Sequence, residues 1–324
     1  MPSLGLDIGG SSVKAALLTA HGGCTVGTAE YSGAPVSAAV VKDACARAVR
    51  DLRGHADDEA ALSALIQSSA LCIGLCVPGV YDAAQRTIIG SINLPALAGT
   101  RIEAVLPNFV HADARRTLVV LTDALAAALD FEAAMQPRLQ PAARLLTLAL
   151  GTGVGCCVLD GAANGPPVQL LVNPGTSGHV GQIDVSLNDD PPRAPDGGRG
   201  GLEAYIGLPA LSARFARVEM ALRTMTLDDP ALRALVRALR IAHAIYRPHH
   251  VALLGGVGVA IAQSPAALGL QGAVSHQLTT LARPGWTLGF AGSRHHAAAG
   301  AARAALTASA PRSGAPGRSP RAGR

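Results

Sequence analysis

Residues 5–18 read GLDIGGSSVKAALL, and residues 147–161 read TLALGTGVGCCVLDG. Each stretch is an apolar run, a turn of glycine with serine or threonine, and a second apolar run. A hairpin pattern that occurs once in each half of the chain limits the fold more than any other feature. It predicts two related halves, each opening on a hairpin, around a shared cleft. The turn residues of the first hairpin admit two readings. Tiny residues satisfy the unusual backbone angles of a tight β-turn. The same residues also let backbone N–H groups approach a phosphate, with Asp7 holding its metal. The hairpin alone does not choose between them.

With the hairpin arms included, apolar runs lie at Leu4–Ile8, Val13–Leu18, Leu71–Val77, Leu118–Leu121, Leu145–Leu150, Gly155–Leu159 and Val251–Leu254. They alternate with helical patterns at Ala38–Arg53, Glu59–Ser68, Ala124–Met135, Leu202–Met225, Pro230–Ile245 and His295–Leu306. The alternation predicts an α/β protein whose two domains are mixed sheets with flanking helices. The expected domains are residues 1–117 and 118–292, divided near Arg115–Leu118. A C-terminal helix over about 293–306 is expected to pack back on the first domain. At 324 residues the chain can bury two cores.

The net charge is +5, but Arg312, Arg318, Arg321 and Arg324 crowd the C-terminus and leave the body near neutrality. Residues 308–324 have no apolar pattern and are expected to be a disordered, solvated basic tail. Nucleic acid is not an expected partner. No apolar run approaches the ~18 residues of a spanning helix. Asp7 interrupts the first apolar run, and no basic stretch precedes it, which argues against a signal peptide. The expectation is a cytoplasmic protein with no membrane partner. The cysteines at 24, 45, 72, 76, 156 and 157 form no C-x-x-C pair and have no histidines at metal spacing, so they suggest neither a disulfide framework nor a zinc site. Cys72 and Cys76 share a strand face and read as small buried hydrophobes.

GLDIGGSSVKAALL, IGLCVPGVYDAAQRTIIGSINLP (73–95), TDALAAAL (122–129), LALGTGVGCCVLDG (148–161) and LLGGVGVA (253–260) occur in the order found in the ROK sugar kinases. From about Gly5 to Leu306 the chain resembles that family. The resemblance implies two duplicated actin/hexokinase-like domains around a central cleft, and ATP-dependent phosphorylation of a hydroxyl on a sugar or sugar-like polyol. Asp7, Gly9, Gly10 and Ser11 would then meet the nucleotide phosphates, with Asp7 placing Mg²⁺ indirectly. Gly151, Thr152 and Gly153 would grip the phosphates from the other side, and Gly255 and Gly256 would lie near adenine and ribose. Asp123 would be the general base, taking a proton from the sugar hydroxyl as it attacks the γ-phosphorus. A carboxylate at a helix start can equally be an N-cap. Asn93 would face the sugar; as a loop asparagine it could instead stabilise a turn. A homodimer is also implied.

The chain departs from the family on the sugar side. The family carries Glu-x-x-His, whose histidine is also a zinc ligand, and a zinc loop of the form C-x-C-G-x-x-G-C-x-E. Here SGHVGQIDV (177–185) puts His179 and Gln182 at the first pair, and APDGGRGGLE (194–203) puts Ala194, Asp196 and Gly201 at the three cysteines. Glu203 is retained. Of the replacements only Asp196 could bind zinc, so no zinc is expected. Thr122 replaces the asparagine before the catalytic aspartate. The altered sugar contacts (Thr122, His179 and Gln182) leave an alternative, a catalytically attenuated regulatory protein that binds a sugar or nucleotide. A repressor is not expected, because the first hairpin begins at residue 4 and the family's repressors carry a helix-turn-helix domain ahead of it.

Overall fold

A computed structural model describes residues 1–19, 22–54, 64, 66, 68, 71–108, 118–135, 143–162, 165–172, 176–194, 197–280 and 282–309. The expected helix over Glu59–Ser68 falls largely outside them. Asp196, residues 115–117 and the tail beyond 309 lie wholly outside them; Ala308 and Ser309, expected to begin the disordered tail, are instead the end of the last described helix.

The first hairpin is β1 (Ser3–Ile8) and β2 (Ser12–Leu18). With β3 (Cys24–Glu30), β4 (Cys72–Cys76) and β8 (Leu118–Leu121) it makes a sheet in the order β3-β2-β1-β4-β8. Antiparallel pairs join β3, β2 and β1, and parallel pairs join β1, β4 and β8. The second hairpin is β9 (Arg144–Leu150) and β10 (Val154–Ala162). It belongs to a sheet with β11 (Gly165–Gln169), β12 (His250–Leu254) and β13 (Thr287–Phe290), in the order β11-β10-β9-β12-β13. The senses repeat those of the first sheet, strand for strand. The echo in the sequence is therefore a repeated topology. A third, small antiparallel sheet of β5 (Val80–Asp82), β6 (Thr87–Gly90) and β7 (Thr100–Arg101) extends the first half.

β8 pairs with β4, so Leu118–Leu121, expected at the start of the second domain, is the edge of the first sheet. The chain passes to the second half at Thr122, where α2 (Asp123–Met135) begins. A second expectation is corrected at Leu202–Met225. This segment is three short helices, α3 (Glu203–Ile206), α4 (Leu208–Arg214) and α5 (Val218–Thr224). Gly207 and Phe215 adopt extended backbone between them, and Pro209, which has no N–H to donate, starts a new helix.

α1 (Ala38–Gly54) buries Val41, Ala44, Cys45, Ala48, Val49 and Leu52, a stripe of helical period, against the β2–β3 side of the first sheet. α6 (Pro230–Tyr246) supplies Leu232, Leu235, Val236 and Leu239 to the second core. α7 (Gly255–Ala262) and α8 (Ala267–Ser275) complete that side. Among the described residues no single helix is long and apolar enough to cross a membrane.

α9 (His296–Ser309) returns to the first half and lies across β1 and β4. Its other side packs on α2, which in turn rests on β9 and β10. The molecule is thus layered as first sheet, α9, α2, second sheet. Glycine makes this possible. Gly5 and Gly74 are paired across β1 and β4, and a Cβ on them would lie 1.8 Å from the Ala298 oxygen and 1.9 Å from the Ala301 oxygen. One Å-scale crossing joins the two central helices, where a Cβ at Gly300 would lie 1.7 Å from the Ala126 oxygen. Where they cross, Asp130 of α2 accepts from His296 Nδ1 and Arg303 Nε of α9, each at 2.6 Å.

Candidate active site

The β1–β2 register pairs Ile8 with Val13 and leaves residues 9–12 as the turn, closed by Gly9 N–H donating to the Ser12 carbonyl at 3.0 Å. Directly behind the turn the same register pairs Asp7 with Lys14. Asp7 is buried, and Lys14 Nζ lies 3.3 Å from its Oδ2. Its Oδ1 has no protein partner among the described residues. Tyr31, one residue past β3, donates its Oη proton to the Gly9 carbonyl at 2.6 Å. Burial, with the neighbouring Cys45 and Asp7, pushes the phenol further up, so it remains a donor. Lys14 and Tyr31 were not picked out from the sequence as site residues.

The tips of the two turns meet. A Cβ on Gly10 would lie 2.9 Å from Thr152 Oγ1 and 3.2 Å from Asn93 Cβ. Gly10, Thr152 and Asn93 are therefore neighbours although they come from three separate segments. Ser11 sits exposed at the first tip. In the second turn, Gly151 N–H donates to the Gly153 carbonyl at 2.9 Å. Gly255 has φ +78°, and a Cβ there would lie 2.3 Å from the Leu150 oxygen, so only glycine fits beside the second hairpin. Gly256 and Gly151 face open space.

Asp123 stands at the first turn of α2. The cap of that helix is Thr122, whose Oγ1 accepts from Leu125 N–H at 3.3 Å and whose carbonyl accepts from Ala126 N–H at 3.0 Å. Asp123 is thus not the N-cap. Its Oδ1 accepts from the Ala124 N–H at 2.7 Å, and Gly155 of β10 leaves room beside it. The side chain is open to water at its surface, yet protein surrounds it on the other sides. Desolvation pushes its carboxyl up to about 6; the charge of Asp7 adds to the rise, and the Ala124 N–H and Lys14 oppose it. Accessibility and depth pull in opposite directions. The upward direction stands, because water in a confined cleft solvates a charge less well than bulk water and Asp7 repels a second anion nearby.

The sugar-side residues divide. Glu203 Oε2 accepts from Val154 N–H at 2.9 Å, and a Cβ on Gly153 or Gly181 would come within 2.7 or 3.2 Å of that oxygen. Glu203 thus braces the second hairpin against the 3₁₀ turn Val180–Gln182. Its Oε1 is without a protein partner among the described residues. His179 and Gln182 flank that turn with exposed side chains. Described backbone closes the 184–201 loop: Asp184 bridges Gly201, Arg193 bridges Arg199, and Val185 N–H donates to the Gly200 carbonyl at 2.8 Å. Asp184 accepts from the Ser186 N–H and hydroxyl, and Arg199 pairs with Asp190. Among the described residues no three His, Cys, Asp or Glu side chains gather as a metal site.

No family model and no curated protein matches this sequence. Solved structures do. The ROK hexokinase of Thermus thermophilus matches with TM-score 0.62 and 22% identity, over 95% of this chain and 99% of that one. A ROK family glucokinase from Streptomyces griseus, solved with glucose and AMPPNP, matches with TM-score 0.67 and 18% identity, over 95% of this chain and 100% of that one. A ROK family transcriptional regulator, a homolog of E. coli MLC, matches with TM-score 0.61 and 16% identity, over 94% of this chain and 78% of that one. The repeated mixed sheets and their helices match the two-domain actin/hexokinase-like fold. Within that class the chain has the fold of the ROK sugar kinases.

Proposed function

We propose that this protein is an ATP-dependent kinase for a hydroxyl of a sugar or sugar-like polyol, with Asp123 as general base. The observation that carries this reading is the position of Asp123. It is a carboxylate raised to about 6, relieved of helix capping by Thr122, and open to the cleft beside Asp7 and Lys14. A base with a pKa near neutrality suits proton transfer at physiological pH. In the reaction, the substrate hydroxyl oxygen attacks the γ-phosphorus while Asp123 accepts its proton. The bond to the β–γ bridging oxygen breaks, and ADP leaves. Lys14, and the turn N–H groups other than those of Gly9 and Gly151, which close the turns themselves, would meet the developing negative charge. Tyr31 holds the Gly9 carbonyl so that the first turn keeps its shape.

The residues present fit Mg²⁺, since Asp7 keeps one oxygen without a protein partner among the described residues and Mg²⁺ needs only one or two carboxylates beside phosphate oxygens and water. Asp7 would hold the ion indirectly, and the ion would supply neutralisation of phosphate charge. Glu203 Oε1, His179, Gln182 and Asn93 are the groups available to orient the sugar. A second reading, a regulatory protein that binds sugar or nucleotide with little turnover, is favoured by His179 and Gln182 standing where the ROK pattern has glutamate and histidine. A panel of sugars assayed for ATP consumption, with Asp123→Asn as control, separates the two. Turnover lost in the variant supports the kinase; inactivity of the wild type over the panel supports the regulator.

A further inference from the structure

A cavity of about 570 Å³ opens between α6, α8 and Leu187 of the 184–201 loop. None of the candidate active-site residues lines it. Three arginines of α6 do: Arg233, Arg237 and Arg240, spaced so that they share one helix face. Leu187, Leu227, Val236 and Ala273 give it an apolar wall.

Like charges at this spacing oppose one another on a helix. An ordinary solvated face relieves this with acids one turn away. Here the acid one turn before Arg233 is Asp229, which is taken by Arg214 Nη2 at 2.7 Å and by the Ala231 N–H at 2.8 Å. Asp184 feels the charge of Arg237, but it forms no ion pair with it, its Oδ1 accepts from the Ser186 N–H and hydroxyl, and it does not line the cavity. No ion pair engages any of the three arginines among the described residues. Two of the guanidiniums are held in place by neutral carbonyls: Arg237 Nη1 donates to Ser186, and Arg240 Nε donates to Gln277 at 3.2 Å. Arg233 is exposed and without a partner among the described residues.

We propose that this cavity is a binding site for a small organic phosphate. Guanidinium forks match a phosphate's oxygens in geometry and charge. The groove is half open to solvent, with all three arginines exposed, and has room for more than a bare phosphate ion. The apolar wall takes the carbon body, and the arginines take the dianionic head. Arg237 also grips the Ser186 carbonyl, which ties the cavity to the loop that runs on to Glu203.

The test is calorimetric titration of the full chain with glucose 6-phosphate at low ionic strength, with inorganic phosphate and methyl glucoside as separate titrants. The expected result is a saturable site for glucose 6-phosphate, with each half-ligand binding weaker by about tenfold or more. Arg233→Ala with Arg240→Ala should weaken that site by about tenfold or more, and Arg233→Lys with Arg240→Lys should restore part of the loss. Circular dichroism checks that each variant is folded. Absence of saturable binding, equal affinity for inorganic phosphate, or a site unchanged in the folded alanine and lysine variants would overturn the proposal.

Discussion

Replacing Gly300 by alanine tests the layered arrangement at its tightest point. Alanine is the better helix former by about 1 kcal/mol, so in a solvated helix the change would stabilise. Here the new Cβ would lie 1.7 Å from the Ala126 oxygen and 2.4 Å from its carbon, where ordinary contacts begin near 3.4 Å. Both obstructing atoms are backbone, so no rotamer change relieves them. The helices must separate by roughly 1.5 Å, enough to forfeit more than half of the dispersion energy where they touch. Overpacking costs typically about 1–3 kcal/mol, and a backbone collision belongs at the upper end or above. After the propensity gain, the net destabilisation should be about 2 kcal/mol and the Tm should fall by roughly 3 °C. Gly272, in α8, is the control, because a Cβ there meets nothing within 4 Å. Gly272→Ala should raise stability by about 0.5–1 kcal/mol. Thermal and urea unfolding of both variants provide the assay. A Gly300→Ala protein at least as stable as wild type would refute the reasoning and the helix crossing with it.

Four further outcomes concern the site. Asp123→Asn should lower turnover by about 10² or more with nucleotide binding nearly intact, as read by steady-state kinetics beside calorimetry with AMPPNP. Because Asp123 must be ionised to accept a proton and its carboxyl is raised to about 6, kcat should fall as pH drops through 6 and level off above it; a rate flat from pH 5 to 8 would remove Asp123 as the base. Elemental analysis of purified protein should find no stoichiometric zinc, since the positions corresponding to the family's four ligands are Gln182, Ala194, Asp196 and Gly201; about one tightly held zinc per chain would contradict this. Glucose should be a poor substrate, with kcat/KM below about 10⁵ M⁻¹s⁻¹. Restoring the charged acceptor in His179→Glu should raise kcat/KM for glucose by one to two decades, roughly the worth of a charge-assisted hydrogen bond.

The fold was legible in the sequence where its cause was local. Two apolar runs around tiny residues are enough to mark each hairpin, and the helix starting at residue 123 follows from its own pattern. The splitting of 202–225 was also readable, in Gly207 and Pro209, but the apolar content around them masked it. Lys14 could have been found by counting back from the turn, because residues 7 and 14 must pair once 9–12 is the loop. Other features have no local signal. Nothing within Leu118–Leu121 says which sheet it joins, since that depends on β4, more than forty residues earlier. Tyr31 reaches Gly9 only because β3 lies beside β2. Threonine at 122 and aspartate at 123 compete for the capping role in sequence, and only the backbone geometry awards it to Thr122.

The paired glycines of β1 and β4 also bear on how the chain is made. The surface they form is covered by residues 296–309, which leave the ribosome long after Gly5 and Gly74. At ordinary synthesis rates the delay after residue 74 is on the order of 10–50 s. Once β8 has followed, the first sheet has its strands but not the helix that seals them, so the N-terminal half cannot complete its folding while the rest is being translated. Its closure waits on the last helix, and that event also joins the two halves.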